Sequence, residues 1–234
     1  MRPVRRPPFH AKARQRNELS EERASEGRLA QLALPTVPCH HSFPMSPLHT
    51  VQFFDGPESL GRNVAAFMVE GIAEGEHLML VARAAHVEAI ADAMALSGLL
   101  LRELVASGQM TVIDAAAVLR RLMFNGRPSA DAFERTVAGL VRRQATRTNG
   151  KLRVYGELVD LLACDDNLRA SDELELLWLE LLREWPVRLH CGYTGATFTN
   201  ERTAPVMKRI CERHDAVQRC DTDLLANWLL TQNT

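Results

Sequence analysis

The chain has 234 residues, 46% of them hydrophobic, and a formal net charge of −1. That length and apolar content imply one main domain with a sizeable core, and the balanced charge leaves no electrostatic footprint for nucleic acid and no acidic solvating tail. Five cysteines at irregular spacing (Cys39, Cys164, Cys191, Cys211 and Cys220) argue against a disulfide framework and for a reducing, cytoplasmic setting, and no apolar run reaches the ~18 residues of a membrane span.

Residues 1–47 differ from the rest. Arg2, Arg5, Arg6, Lys12, Arg14 and Arg16 crowd the start, and Pro35, Pro38, Pro44 and Pro47 break up the end. This composition predicts a disordered basic, proline-rich extension without the apolar core of a secretory signal. Translation from Met45 is the rival explanation of the same stretch, and a basic arm for anionic surfaces a third. The domain is expected over 48–218, with residues 219–234 as a C-terminal helix or tail.

From His49 the pattern becomes regular. A short strand around Val51 and Phe53 leads to Asp55-Gly56-Pro57-Glu58, a helix start with proline in the first turn and an acid facing the helix dipole. Leu60, Val64, Phe67, Met68 and Ile72 then share one helical face. Residues 78–82 form a continuous apolar run, as expected of a strand covered on both sides. In a nucleotide-binding α/β protein a glycine-rich loop ending in Gly-Lys-Ser/Thr would follow. Here the residues are Arg83-Ala84-Ala85-His86-Val87, without glycine, phosphate-binding lysine or magnesium-binding hydroxyl. The frame of an ATPase is thus expected without its ATP chemistry.

A second helix runs through Ile90 and Met94 to Gly98, and residues 110–114 form the next strand. A helix over 115–123 is expected to stop at Asn125-Gly126-Arg127-Pro128. Ser129 can cap a longer helix carrying Phe133, Val137, Leu140 and Val141 inward. Residues 151–155 read as a strand and 158–162 as a helix. Ser171 or Asp172 is expected to cap a helix with Leu174, Leu177, Trp178 and Leu181 inside. Val187, Leu189, Cys191 and Tyr193 alternate along a last strong strand, before a helix over 205–214. Strands separated by helices predict an α/β fold in three layers: a mostly parallel sheet of about five or more strands, with helices on both faces.

Four positions invite chemistry. His49 lies at a strand end, where an imidazole can titrate near neutral pH, or else it is an ordinary half-buried histidine. Glu157 ends a strand and opens a helix, so it is a ligand-contacting acid, a general base, or a first-turn residue favoured by the dipole. Cys191 is a contacting thiol or a small buried apolar group. Alternation puts His190 on the opposite face from Cys191, so the two cannot act as base and nucleophile. Cys211, His214 and Cys220 stand at C-x2-H-x5-C spacing, too sparse for a four-ligand zinc site, and no metal is expected there.

Taken together, several stretches resemble one family. They are His49-Thr50-Val51-Gln52-Phe53-Phe54-Asp55; residues 67–80 with Gly71 and Gly75-Glu76; Asp114-Ala115 with Leu119; residues 155–162; Leu174-Glu175-Leu176-Leu177-Trp178; Cys191-Gly192-Tyr193; and Ile210-Cys211-Glu212-Arg213-His214. In order and spacing, over residues 48 to about 218, they resemble the MEDS domain, the methanogen/methylotroph DcmR-type sensory domain. The resemblance implies a RecA/KaiC-like fold with a degenerate P-loop, and a role in sensing small molecules upstream of transcription or signalling. It also places the family's recurring histidine, glutamate and cysteine positions on His49, Glu157, Cys191 and His214, as suspected ligand-binding residues. Many relatives carry a helix-turn-helix or a kinase, and neither pattern is present in this sequence.

The expectation is therefore a non-enzymatic sensory module without cofactor. A small, fairly apolar ligand would bind at the carboxyl end of the sheet among His49, Glu157 and Cys191. The signal would pass to a protein partner such as a kinase or transcription regulator, with no membrane insertion and no direct nucleic-acid binding. Arg83 and His86 need not touch that ligand. The rivals are a degenerate ATPase-like or thiol-dependent enzyme using Glu157 or Cys191, and a ligand-free interaction scaffold.

Overall fold

Strand and helix alternate throughout residues 48–218, which the computed structural model describes. The expected N-terminal extension, the Met45 start, the C-terminal helix, Cys39 and Cys220 lie outside the described residues. The elements are β1 (His49–Phe54), α1 (Pro57–Ala73), β2 (His77–Ala82), α2 (Ala84–Leu96), α3 (Leu101–Ala106), β3 (Met110–Asp114), α4 (Ala115–Leu122), β4 (Met123–Phe124) and β5 (Arg127–Pro128). They continue with α5 (Ala130–Phe133), a π-helical segment (Glu134–Ala138), α6 (Gly139–Arg147), β6 (Leu152–Gly156), α7 (Leu158–Cys164), α8 (Leu168–Glu184), β7 (Arg188–Thr194), a 3-10 turn (Gly195–Phe198), α9 (Ala204–Arg213) and β8 (Ala216–Val217).

Six strands form one sheet in the order β3-β2-β6-β7-β1-β8, every pair parallel. A parallel sheet needs a crossover between neighbours, and the crossover helices cover both faces. Strand alternation sorts the core into two. Val51, Phe53, Met79, Val81, Val154, Leu189, Cys191 and Tyr193 face the layer of α4 to α9. Phe54, Leu78, Leu80 and Tyr155 face α1, α2 and α3. The three-layer α/β architecture expected from the sequence is the one present.

Three local expectations need correction. Asn125 and Gly126 both take positive φ, 51° and 76°, so they make a tight hairpin between β4 and β5 rather than a helix stop; the mirror-image turn asks for Asn-Gly at these two places. The long helix begins at Leu168, one turn early, because the Asn167 side chain accepts from Ala170 N. Ser171 instead sits inside that helix and donates to the Val159 carbonyl. Finally, the helix capped by Ser129 is not uniform, since π-helical turns over Glu134–Ala138 separate α5 from α6.

At the amino end of the sheet, buried Arg153 donates to Glu76, to Glu70 at 2.6 Å and to the Phe67 carbonyl at 2.8 Å, while Arg188 pairs with Glu74 and Glu76. Buried charge survives only when paired and hydrogen-bonded, and this network meets that condition. The Gly75-Glu76 stretch is thus structural: it places Glu76 under Arg153.

Candidate functional site

In a doubly wound sheet, ligands dock outside the carboxyl ends of the two strands where the connections diverge. Here those strands are β2 and β6. The chain leaves β2 for β3 on one side and β6 for β7 on the other. The residues just past them are Arg83 and Glu157. Arg83 stands at the N-cap of α2, and both its main-chain N–H and its Nε donate to Glu157 Oε1. Its Nη2 donates to Asp160 in the first turn of α7. His86 Nδ1 lies 2.5 Å from the other Glu157 oxygen, and Tyr155 Oη donates to that same oxygen at 3.5 Å. Asp160 also accepts from Thr194 N at 2.7 Å and Thr194 Oγ1 at 3.1 Å.

A helix N-terminus is an anion site, and here the anion is the chain's own. Glu157 accepts the main-chain N–H at the start of α2. Burial disfavours the charged guanidinium, but Glu157 and Asp160 outweigh it and hold Arg83 above its ordinary pKa. Both carboxylates are buried and both have a cation. Burial first, and then Glu157, pushes the Tyr155 phenol far up, so it stays a neutral donor.

A second polar cluster lies on the opposite face of β7, beneath α8 and α9. His49 opens β1, Cys191 is the fourth residue of β7, Glu175 lies in α8, and His214 follows α9. All four are buried. Cys191 Sγ is 3.5 Å from His49 Nε2, and the His49 and His214 ring centroids are 3.8 Å apart. Glu175 Oε2 is 3.8 Å from His49 Nε2, and Glu175 Oε1 is 3.8 Å from His214 Nε2. Tyr193 Oη donates to Glu175 Oε1 at 2.6 Å. Burial first, then the neighbouring His214, pushes the His49 imidazole down to about 2, against a weaker opposing pull from the Arg213 main chain. Burial and then Glu175 push the Cys191 thiol and the Tyr193 phenol well up. As expected, His190 points away, with Nδ1 2.8 Å from Thr50 Oγ1, and burial followed by His214 takes it down to about 3.

The four residues singled out in the sequence therefore do not share one site. His49, Cys191 and His214 come together, while Glu157 belongs to the other centre with Arg83 and His86. The reason is strand direction. His49 and Glu157 both flank strands, but His49 begins β1 and Glu157 follows the end of β6. The role of Arg83 was missed because its partners lie more than seventy residues away in sequence. Glu175 was missed although it left a signal: it falls between Leu174 and Trp178, inside the apolar stripe of α8, where a carboxylate needs a reason to be. Cys211 is half-buried and takes no part in the four-residue cluster.

Open space lies elsewhere. A cleft of about 280 Å³ runs between β2 and β3 and the layer of α4, the π-helical segment and α6. Met79, Val81, Ile113, Val137 and Leu140 make its apolar wall. Arg121, Arg135 and Arg143 reach it from exposed positions, and none of the three is ion-paired among the described residues.

No curated protein matches the chain at a significant level. One family model does match, over residues 48–212: MEDS, the MEthanogen/methylotroph, DcmR Sensory domain. That span holds the whole carboxyl-end network, the apolar cleft, and His49, Glu175 and Cys191 of the buried cluster, and the chain belongs to the MEDS family of sensory domains.

Proposed function

We propose that this chain is a non-enzymatic sensor of a small organic molecule, which it takes up in the cleft between β2, β3, α4 and α6 and reports to a protein partner. The observation that carries this reading is the cleft itself. It has an apolar wall, a π-helical side and three arginines free to meet an anionic end. Its size is near the low end of small-molecule sites, about 300 Å³, and π-helical turns recur where helices have function. The ligand class that fits is a short apolar molecule, with an acidic head group favoured by Arg121, Arg135 and Arg143.

The carboxyl end of the sheet supports the same reading by contrast. Its anion position is filled by Glu157 and its cation by Arg83, which argues against a nucleotide and for a ligand outside the usual crevice. A ligand that prefers one register of the Glu134–Ala138 segment would shift α6, and α6 is tied to α8 through Arg142 and Glu184 at 2.5 Å. Such a shift can be read by a kinase or transcription regulator docked outside.

The test is native mass spectrometry of protein purified from its source, repeated with Leu140→Trp, which fills the cleft. The expected result is a retained small molecule in the natural chain and none in the variant. Equal retention by both, or micromolar binding of Mg-ATP in calorimetry, would overturn the proposal.

A further inference from the structure

The cluster beneath α8 has an accounting problem that the other polar centre lacks. Among the described residues, four buried side-chain atoms have no hydrogen-bond partner of good geometry, and three of them lie here: Glu175 Oε2, His214 Nε2 and His49 Nδ1, the last with only a weak pull from the Arg213 main chain. Unpaired buried polar atoms are rare in native proteins, and each calls for a reason. Glu175 is fully buried, and among the described residues no lysine or arginine pairs with it. Its one close donor among the described residues is Tyr193 Oη.

The histidines cannot repair this alone. His214 Nδ1 donates to the Ile210 carbonyl at 2.7 Å, so in the neutral ring the lone pair of Nε2 faces Glu175 Oε1 at 3.8 Å. An acceptor faces an acceptor. His49 Nε2 accepts the weak Cys191 S–H donor at 3.5 Å, which leaves Glu175 Oε2, 3.8 Å away, without a donor. One donor atom from each of the four side chains falls within 4.8 Å of all the others. What this arrangement asks for is a positive centre in the middle.

The geometry comes close to holding one. Zinc–nitrogen bonds near 2.0–2.1 Å and zinc–sulfur bonds near 2.3 Å give tetrahedral edges of roughly 3.3–3.6 Å. The His49–Cys191 edge is already 3.5 Å, and the two edges to Glu175 are 3.8 Å. The imidazole rings, 3.8 Å apart and tilted by 36°, must part by about an ångström to aim both nitrogens inward, a side-chain rotation. Two imidazoles, a thiolate and a carboxylate select a zinc-class ion over magnesium or calcium, which prefer all-oxygen cages. The outer contacts are those of a metal site as well: His214 is anchored by its Nδ1–H to Ile210, and Glu175 is held by Tyr193, which in turn lies 3.4 Å from Ser171 Oγ.

We propose that His49, Glu175, Cys191 and His214 form a closed four-coordinate site for a zinc-class divalent ion, separate from the ligand cleft. With four protein ligands and no solvent access the site is structural rather than catalytic. Binding replaces the Cys191 S–H bond by a sulfur–metal bond and releases one proton to solvent. The ion would tie β1, β7 and α8 to His214, and so fasten the end of α9 and the β8 strand against the sheet.

The test uses the full, untagged chain purified without chelators. Elemental mass spectrometry should find about one zinc-class ion per chain, and zinc added to chelator-treated protein should be won from a chromophoric competitor at the same stoichiometry. Cobalt substitution should give a thiolate charge-transfer band together with the intense d–d absorption of a tetrahedral site. Cys191→Ala/His214→Ala should lose the ion, whereas Cys164→Ser and Cys211→Ser should keep it. Because the double variant can fail to fold, Glu175→Gln, checked by circular dichroism, gives a second reading, with binding weakened on the order of tenfold or more. A wild-type chain that neither carries nor competes for metal would overturn the proposal, as would metal retained by the double variant, or a cobalt spectrum without the thiolate band.

Discussion

At the carboxyl end of the sheet, Glu157 and Asp160 share Arg83, while beneath α8 the equally buried Glu175 has a tyrosine and two imidazoles for company. Both centres contain histidine, tyrosine and carboxylate, and in both the carboxylates are fully buried. The first is complete because the chain supplies its cation and points a helix N-terminus at the same carboxylate. The second leaves a carboxylate oxygen and two imidazole nitrogens unpaired. The difference separates a polar centre that closes a fold from one shaped for something the chain does not itself contain.

Removing the cation from the complete centre should have the largest effect. Arg83→Met strands two buried carboxylates and should cost about 2–4 kcal/mol, the lower part of the range for broken buried pairs because Arg83 is 26% exposed. Urea unfolding measures it, and Glu157→Gln in the same background should recover part of the loss. A cost below about 1 kcal/mol would mean that the carboxylates are not charged partners of Arg83.

A smaller effect tests whether the two centres are independent. They approach each other at β7, where Gly192 meets Tyr155 and the neighbouring Cys191 faces the buried cluster. Gly192 lets Tyr155 lie against the strand, since a Cβ there would sit 2.3 Å from Tyr155 Oη. Gly192→Ala should therefore cost about 1–3 kcal/mol by overpacking. It should leave the stoichiometry of metal binding at the other face unchanged, and a chain that loses both would show that the centres are coupled. At the small end, Arg127→Ala breaks an exposed pair with Glu173 and should leave the unfolding midpoint within error, which checks that charge matters here only when buried.

Much of the fold was legible because its signals are local. The apolar run at 78–82, the alternation at 187–193 and the Ser129 cap each depend on a few neighbouring residues, and the α/β layering follows from their order. The candidate site was legible only in part, because its geometry is long-range. Cys191 and His190 were separable by strand alternation. That His49 meets His214 across the β1–β8 edge, that Arg83 reaches Glu157, and that Asn167 rather than Ser171 starts α8 depend on register and packing which no short window contains. The lone carboxylate in the α8 stripe was the one local hint of the second centre.

The most direct test of the central claim is the stability change on Glu175→Gln, measured by urea unfolding once with excess chelator and once with stoichiometric zinc. The account predicts a change of sign. Without metal, the substitution removes an uncompensated buried carboxylate and should stabilise the chain by about 1–2 kcal/mol. With zinc, it removes a ligand and should destabilise by at least about 1 kcal/mol. The same sign and size under both conditions would contradict it.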